Sequence, residues 1–390
     1  MNPPLSPLYF DYAATTPLDL QVKEAMIDCL SDPNLMGNAS SITHDYGTHA
    51  KSIIEIAKAD IRTALNAPSY NTIFTSGATE SINLALKGAA FQQKSLGNHI
   101  ITVKTEHQAT LDTCHYLEQN GFDITYLPVK SSGLIDHDSL ALALRDDTIL
   151  VSIMHVNNET GLYQDLGSLS RLLADHQALF HVDAAQSIGK IPVDLNLYDI
   201  DLLSFTAHKF YGPKGAGALL VKPMTKLSPQ MHGGTQQYRM RAGTLATHQI
   251  IGLSHALVLA TQNQAKEHKR LLKYKQKVVT ELHKIGGIAL NGEPAHTIPD
   301  ILNVCVQDVD GEALMMALYP LAISQGAACS SATTEPSHVL TAMGLSPEEC
   351  YQSIRLSFGR FTTDDQLSFA IKCLSLEIQK LRKLAHGTRG

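Results

Sequence analysis

The amino-acid sequence predicts an α/β fold with a mostly parallel central sheet and a smaller α+β unit beside it. Three observations carry that expectation. Between roughly residues 70 and 225, short β-branched or apolar runs alternate with longer helix-like segments, the pattern of βαβ units. From about residue 260 the texture changes to a long polar amphipathic stretch, 262–284, followed by Gly286-Gly287 and a separate strand-like run at 301–306. The chain's 390 residues also exceed the length over which one compact core keeps growing, so a large domain plus a smaller one is expected.

Strands are expected at 72–75, 100–103, 124–127, 148–155, 179–183, 202–206 and 218–221. Several end in polar residues, and in open α/β sheets the crevice at the strand carboxyl ends is where ligands bind. The segment 324–336 is rich in Ser, Ala, Gly and Thr, has almost no apolar anchor, and carries Cys329 in its middle. It reads as a mobile loop.

Hydrophobic residues at 44% and charged residues at 17%, scattered evenly, describe an ordinary soluble globular protein. The net charge is -6, and no Lys/Arg run with interleaved aromatics suits a phosphate backbone, so direct nucleic-acid binding is not expected. The opening Met1-Asn2-Pro3-Pro4-Leu5 lacks the charged and apolar regions of a leader, and no stretch approaches the ~18 apolar residues of a membrane span. The expected location is the cytoplasm, away from the membrane. The six cysteines are widely spaced, with no C-x-x-C pair and no zinc-like Cys/His spacing. Free thiols in a reducing compartment, and no metal, are expected.

Three segments carry chemistry. Ser204-Phe205-Thr206-Ala207-His208-Lys209 places a lysine just beyond a buried strand, where desolvation would free its amine as a nucleophile for a Schiff base. Taken alone, Lys209 reads more readily as a strand-capping surface residue. His181-Val182-Asp183-Ala184-Ala185-Gln186 puts an acid at the end of another apolar strand, either as the partner of a pyridine nitrogen or as a helix N-cap. Thr75-Ser76-Gly77-Ala78-Thr79-Glu80-Ser81 joins a strand to a helix through small hydroxyl-bearing residues, which suits a phosphate ester or a plain capping turn. Neither a Walker-type loop nor G-x-G-x-x-G occurs, so ATP and dinucleotides are not indicated. Cys329 is flanked by Gln325-Gly326-Ala327-Ala328 and Ser330-Ser331-Ala332, nothing large enough to bury it, and reads as an accessible thiol.

Together these segments resemble the aminotransferase-like fold of pyridoxal-phosphate enzymes, and specifically the IscS/NifS group of cysteine desulfurases. Further matches are Asp11-Tyr12-Ala13-Ala14-Thr15-Thr16-Pro17, Lys104-Thr105-Glu106-His107, Met154-His155-Val156-Asn157-Asn158-Glu159, Met231-His232-Gly233-Gly234, Arg241-Ala242-Gly243-Thr244 and Ala328-Cys329-Ser330-Ser331. The resemblance implies a fold-type I large domain over 15–260 that binds the cofactor. It also implies a small domain of 1–14 and 261–390 carrying the cysteine loop. It makes Lys209 the Schiff-base lysine, Asp183 the partner of the pyridine nitrogen, and Gln186 the partner of the phenolic oxygen. His107 would stack on the ring and assist proton transfer, Thr79, Thr206 and His208 would hold the phosphate, and Ala78 would be among the cofactor-binding residues. Thr244 would reach the phosphate of the other subunit, which implies a homodimer. Asn158 and Arg355 would clamp the substrate carboxylate, Arg by its planar fork. Without the resemblance, Arg355 reads as well as a surface ion pair and Asn158 as a turn residue.

The implied reaction converts L-cysteine to L-alanine and leaves the sulfur as a persulfide on Cys329, which must attack as a thiolate. The sulfur would supply iron–sulfur clusters or thiolation of nucleic acids and cofactors. Rival readings are a selenocysteine lyase, a small aminotransferase of the same fold, and a non-catalytic binding scaffold. The sequence departs from the family pattern at Gln325, Ala242 and Thr235-Gln236-Gln237. It ends soon after Leu381-Arg382-Lys383-Leu384, without the acidic and aromatic tail by which housekeeping members hold an iron–sulfur scaffold. The expected acceptor is therefore one bound weakly or on another surface.

Overall fold

A computed structural model of the chain describes residues 6–325 and 335–387. Cys329 and the loop residues 326–334 lie outside the described residues. In chain order the strands are β1 (Leu8–Tyr9), β2 (Asn71–Thr75), β3 (His99–Val103), β4 (Asp123–Leu127), β5 (Thr148–Met154) and β6 (Leu179–Asp183). They continue with β7 (Leu202–Thr206), β8 (Gly217–Val221), β9 (Ile288–Leu290), β10 (Ile301–Val306), β11 (Leu321–Ala322) and β12 (Ser353–Ser357). The first helices are α1 (Leu20–Ser31), α2 (Asp45–Ala64), α3 (Ala78–Gln93), α4 (Gln108–Gln119), α5 (His137–Ala143) and α6 (Leu166–Leu173). The rest are α7 (Thr247–Ile285), α8 (Gly311–Ala317), α9 (His338–Ala342), α10 (Pro347–Tyr351) and α11 (Asp364–Gly387).

Seven strands form the central sheet in the order β2-β8-β7-β6-β5-β3-β4. The pairs β2–β8 and β8–β7 are antiparallel and the rest are parallel. Strands β3, β5, β7 and β8 are buried at every position, as strands covered on both faces must be. Alternation assigns the side chains. Leu203 and Phe205 join one apolar cluster with Ile54 and Ile61 of α2 and Leu253 and Leu257 of α7. Leu202, one position away, faces the opposite cluster with Ile82 and Leu86 of α3 and Leu117 of α4.

Two buried histidines bridge neighbouring strands. His181 contacts Ser152 Oγ on β5 at 2.8 Å and Ser204 Oγ on β7 at 2.9 Å; His99 contacts Thr148 Oγ1 at 2.7 Å and Thr125 Oγ1 at 2.8 Å. At the sheet edge, Gln237 supplies what a further strand would. Its Oε1 accepts from Phe74 N–H at 2.6 Å and its Nε2 donates to Phe74 O at 2.8 Å, so this edge is partly covered.

The sheet β12-β10-β9 is antiparallel and belongs to a third cluster. Leu367, Ala370, Ile371, Leu374 and Ile378 of α11 form a helical stripe against it, and Phe10 meets Phe358 edge-on. Helix α7 starts at Thr247, earlier than the amphipathic stretch at 262–284, because Ile250, Leu253, Ala256 and Ala260 bury a stripe of their own. Its second half, through Leu271, Tyr274, Val278 and Leu282, packs in the third cluster. The change of texture near residue 260 is thus a change of what one continuous helix touches. Gly286 ends it at φ 73°, and the Arg382 guanidinium caps it by donating to Gly286 O, Gly287 O and Gln307 O, each at 2.8 Å.

Burial pushes the His181 imidazole down to about 3, so the folded protein keeps it neutral where the unfolded chain, with the ordinary value near 6.5, takes up a proton. The unfolded state then binds more protons between about pH 3 and 6.5, so this stability is present above that window and lost as pH falls through it. We predict that His181→Asn loses about 2 kcal/mol less unfolding free energy than the parent between pH 7 and 5, measured by urea titration. An equal loss in both proteins would show that His181 is not held as a neutral bridge.

Candidate active site

The register of the central sheet brings the chemistry to one edge. Thr75 and Thr206 both pair with Gly217, Asp183 pairs with Ser204, and Met154 pairs with Asp183. The carboxyl ends of β2, β7, β6 and β5 therefore lie side by side, and each is followed at once by candidate residues. The cleft they border has a volume of about 530 Å³. Ala78, Thr79, His107, Asn158, Asp183, Gln186, Thr206, His208, Lys209 and Arg355 all line it.

Lys209 closes a short 3₁₀ turn, Ala207–Lys209, directly after β7. Its Nζ donates to Ala13 O at 2.6 Å and to Ala14 O at 2.8 Å. The same N-terminal segment holds the neighbours: Thr16 N–H donates to His208 O at 2.9 Å, and His208 Nδ1 lies 3.2 Å from Thr15 Oγ1. Burial, with the Lys209 charge next in importance, pushes His208 down to about 4.

Asp183 is 3% exposed, and its Oδ1 accepts from Ala185 N–H at 2.9 Å. Burial raises its carboxyl to about 6, against the lowering effect of that hydrogen bond and of Lys209. His107 caps α4, its Nδ1 accepting from Ala109 N–H at 3.1 Å, which puts the proton of the neutral ring on Nε2. Burial first, then Lys209 and His338, lower it to about 4, so it is neutral at pH 7. Gln186 donates from Nε2 to Ala13 O at 2.7 Å and accepts from Lys190 Nζ at 2.6 Å, which commits one of its two N–H donors.

The first turn of α3 has no side-chain cap, and Gly77 precedes it. A side chain at Gly217 would meet Gly77 N, Cα and C at 2.6–2.9 Å, so glycine there is what lets the turn before α3 lie against β8. Thr206 Oγ1 donates to Ala216 O at 3.1 Å. Glu80 ties the turn down, accepting from Ser76 N–H at 2.6 Å and pairing with Arg241 Nε at 2.8 Å. Thr244 lines a separate cavity of about 150 Å³ with Ser76, Gly215 and Arg241, next to the cleft of its own chain.

Arg355 is 1% exposed on β12, donating from Nη1 to Asn158 O and from Nη2 to Asp11 Oδ1, each at 2.7 Å. It is a buried pair, not a surface one. Asn157, rather than Asn158, shapes the turn after β5: its Oδ1 accepts from Glu159 N–H and Thr160 N–H, and its Nδ2 donates to Thr105 O. Sequence reasoning gave no role to Asp11, to the Ala13 and Ala14 carbonyls, or to Glu106. Glu106 is fully buried, accepts from Met154 N–H at 2.7 Å, and is held well above the usual carboxyl range by burial, with the Asp183 charge adding to the rise. The signal was present, since Asp11 to Ala14 and Glu106 stand inside matched motifs. Among the described residues no group of His, Cys, Asp or Glu suits a metal ion.

The arrangement has a lysine amine held in place, a buried acid, neutral histidines and an uncapped helix N-terminus around one cleft. The chain matches the aminotransferase class-V family over residues 8–369. It is 49% identical over 381 residues, 97% of this chain and 94% of the relative, to the cysteine desulfurase IscS of Proteus mirabilis. Among solved structures it resembles a NifS-like protein, with TM-score 0.89, 33% identity, and coverage of 96% of this chain and 100% of that one. It also resembles SspA in complex with cysteine, with TM-score 0.80, 37% identity, and coverage of 91% and 100%. With agreement over nearly its whole length, the chain belongs to the aminotransferase class-V family, among its cysteine desulfurases.

Proposed function

We propose that this chain takes sulfur from L-cysteine, releases L-alanine, and carries the sulfur on Cys329. The observation that carries this reading is one cleft joining Lys209, Asp183 and Arg355 in a protein so similar to cysteine desulfurases. Those relatives favour it over a selenocysteine lyase, a small aminotransferase or a non-catalytic scaffold. The SspA structure, which holds cysteine, supports the same substrate here. Residues 15–260 are assigned to the cofactor-binding unit, and 1–14 with 261–390 to the smaller one.

The residues present fit pyridoxal phosphate. Asp183 is a buried acid whose raised pKa would fall again beside a protonated pyridine nitrogen. The uncapped N–H groups at Ala78 and Thr79, with the close backbone approach at Gly217, suit a phosphate. Lys209 would hold the group through Nζ, Gln186 would meet its phenolic oxygen, and His107 would lie against the ring. Thr206 and His208 would join the phosphate ligands. When bound, the cofactor withdraws electrons from the substrate Cα.

The protein's own groups do the rest. Arg355 and Asn158 orient the carboxylate, and the Lys209 amine, steered by the Ala13 and Ala14 carbonyls, moves the Cα proton. The Cys329 thiolate attacks the substrate sulfur; an S–S bond forms, the Cβ–S bond breaks, and its electron pair stays with the carbon that takes up protons to become alanine. Cys329 suits the role because burial raises the thiols of Cys29, Cys114, Cys305, Cys350 and Cys373, which keeps them protonated. All five are free, which suits a reducing cytoplasm. No helix among the described residues is long and apolar enough to cross a membrane. The acceptor is an iron–sulfur scaffold or a thiolation enzyme, reached through the Cys329 loop.

A homodimer completes the site in this reading, with Thr244 of a second copy reaching the phosphate. Leu20, Ile27 and Leu30 are exposed on α1, interleaved with Lys23 and Glu24, and offer apolar contacts to such a second copy.

Lys209→Ala is expected to abolish alanine formation and the borohydride-sensitive visible absorbance of the purified protein. Cys329→Ser is expected to keep that absorbance and lose the persulfide by mass spectrometry. A reducible absorbance surviving in Lys209→Ala, or a persulfide on another cysteine, would refute these assignments. For the dimer, Lys209→Ala and Thr244→Ala homodimers are mixed. The hybrid site with a working lysine receives an intact Thr244 from its neighbour, so its cofactor affinity is expected to match the parent. Affinity as poor as in the Thr244→Ala homodimer would refute the shared site.

A further inference from the structure

Arg355 is a permanent charge in a nearly dry place. Its Nη1 is spent on Asn158 O and its Nη2 on Asp11 Oδ1, while its buried Nε has no hydrogen-bond partner. The Asp11 side chain is itself only 21% exposed. It reaches Arg355 from a pinned segment: Tyr9 Oη donates to Asp11 O at 3.0 Å and to Thr15 O at 2.8 Å, and Ala13 N–H donates to Ser357 Oγ at 2.9 Å. Asp11 also bridges Ser357, two positions from Arg355 on β12. The carboxylate is therefore delivered to the guanidinium by backbone contacts on both sides, and Arg355 alone of the pair lines the cleft.

We propose that Asp11 is a positioning and specificity-determining residue that orients Arg355 and moderates its grip on carboxylates. This rests on the reading of Arg355 as the substrate-carboxylate site. A guanidinium buried without a counter-ion is costly, so Asp11 neutralises it before substrate arrives. An entering carboxylate then shares the cation with an anion already in place, and the two anions repel. The site binds a single carboxylate with restrained affinity. Asparagine at this position keeps the Oδ1 acceptor that aims the guanidinium but removes the competing charge. Alanine removes both. In alanine the lost aim outweighs the relieved repulsion, because the buried guanidinium keeps neither its acceptor nor its counter-ion; the two substitutions therefore shift carboxylate affinity in opposite directions, which a merely structural ion pair would not produce.

The test uses the holoenzyme and two competitors of L-cysteine turnover. 3-Mercaptopropionate has the thiol and carboxylate of cysteine without its amine; cysteamine has the thiol and amine without the carboxylate. Asp11→Asn is expected to bind 3-mercaptopropionate about tenfold more tightly, the effect of removing one nearby like charge in a partly wetted site. It is also expected to lower KM for L-cysteine and to leave cysteamine inhibition within about twofold. Asp11→Ala is expected to weaken 3-mercaptopropionate. The visible absorbance of each variant verifies that the cofactor site has folded. In an Arg355→Gln background 3-mercaptopropionate binding is expected to be lost already, and Asp11→Asn is expected neither to restore it nor to change cysteamine inhibition. If Arg355→Gln itself leaves 3-mercaptopropionate binding intact, the carboxylate reading of Arg355 falls and takes the proposal with it. If Arg355→Gln loses that binding but Asp11→Asn weakens it as Asp11→Ala does, or shifts cysteamine equally, the role given to Asp11 alone is overturned.

Discussion

Two carbonyl oxygens, those of Ala13 and Ala14, hold the Lys209 ammonium, and much of the cleft depends on that contact. Backbone carbonyls away from water need donors, and a lysine entering an apolar cleft needs acceptors; each satisfies the other. Ala13 O also accepts from Gln186, so one peptide group fixes the spacing of two cleft residues. Thr15 and Thr16 extend the contact to His208 and Tyr211. The N-terminal segment is thus an inner wall of the cleft.

That segment also joins the apolar clusters on either side of the cleft. Its strand β1 runs parallel to β11, which precedes Cys329 by a few positions in the chain. Asp11 reaches Arg355 on β12, and Asp19 meets Arg360 at 2.5 Å, while Glu267 of α7 takes the same guanidinium at 2.6 Å. Arg360 also lies 4.2 Å from the centre of the ring of Tyr211, two positions after Lys209 in the chain. Charged side chains at these junctions favour one relative placement because each misplacement would leave a half-buried charge without its partner.

Burial sets the protonation states around the cleft. Asp183 and Glu106 are raised, and His107 and His208 are lowered, in each case with desolvation as the largest cause. The result is that the two histidines are neutral at pH 7, while Asp183, held at about 6, remains largely ionised. In such surroundings each remaining charge, Lys209 and the Arg355–Asp11 pair above all, acts over a longer reach than it would in water.

Local pattern in the sequence determined the strands, since β-branched runs such as 179–183, 202–206 and 301–306 match the observed elements end to end. It also determined which residues follow those strands: Asp183 and Lys209 were legible because each stands at the end of an apolar run, and Ala78 and Thr79 because small residues open a helix. The start of α7 was not legible from polarity alternation, because its first turns are buried against the sheet and carry little polar contrast. What only the tertiary structure decided is which distant groups meet. Asp11 and Arg355 are 344 positions apart, and Lys209 reaches Ala13 across 196. Chain periodicity reports which face of an element is buried, but such pairings follow from sheet order and from the demand that every buried charge and carbonyl find a partner, and neither is written in any local stretch of residues.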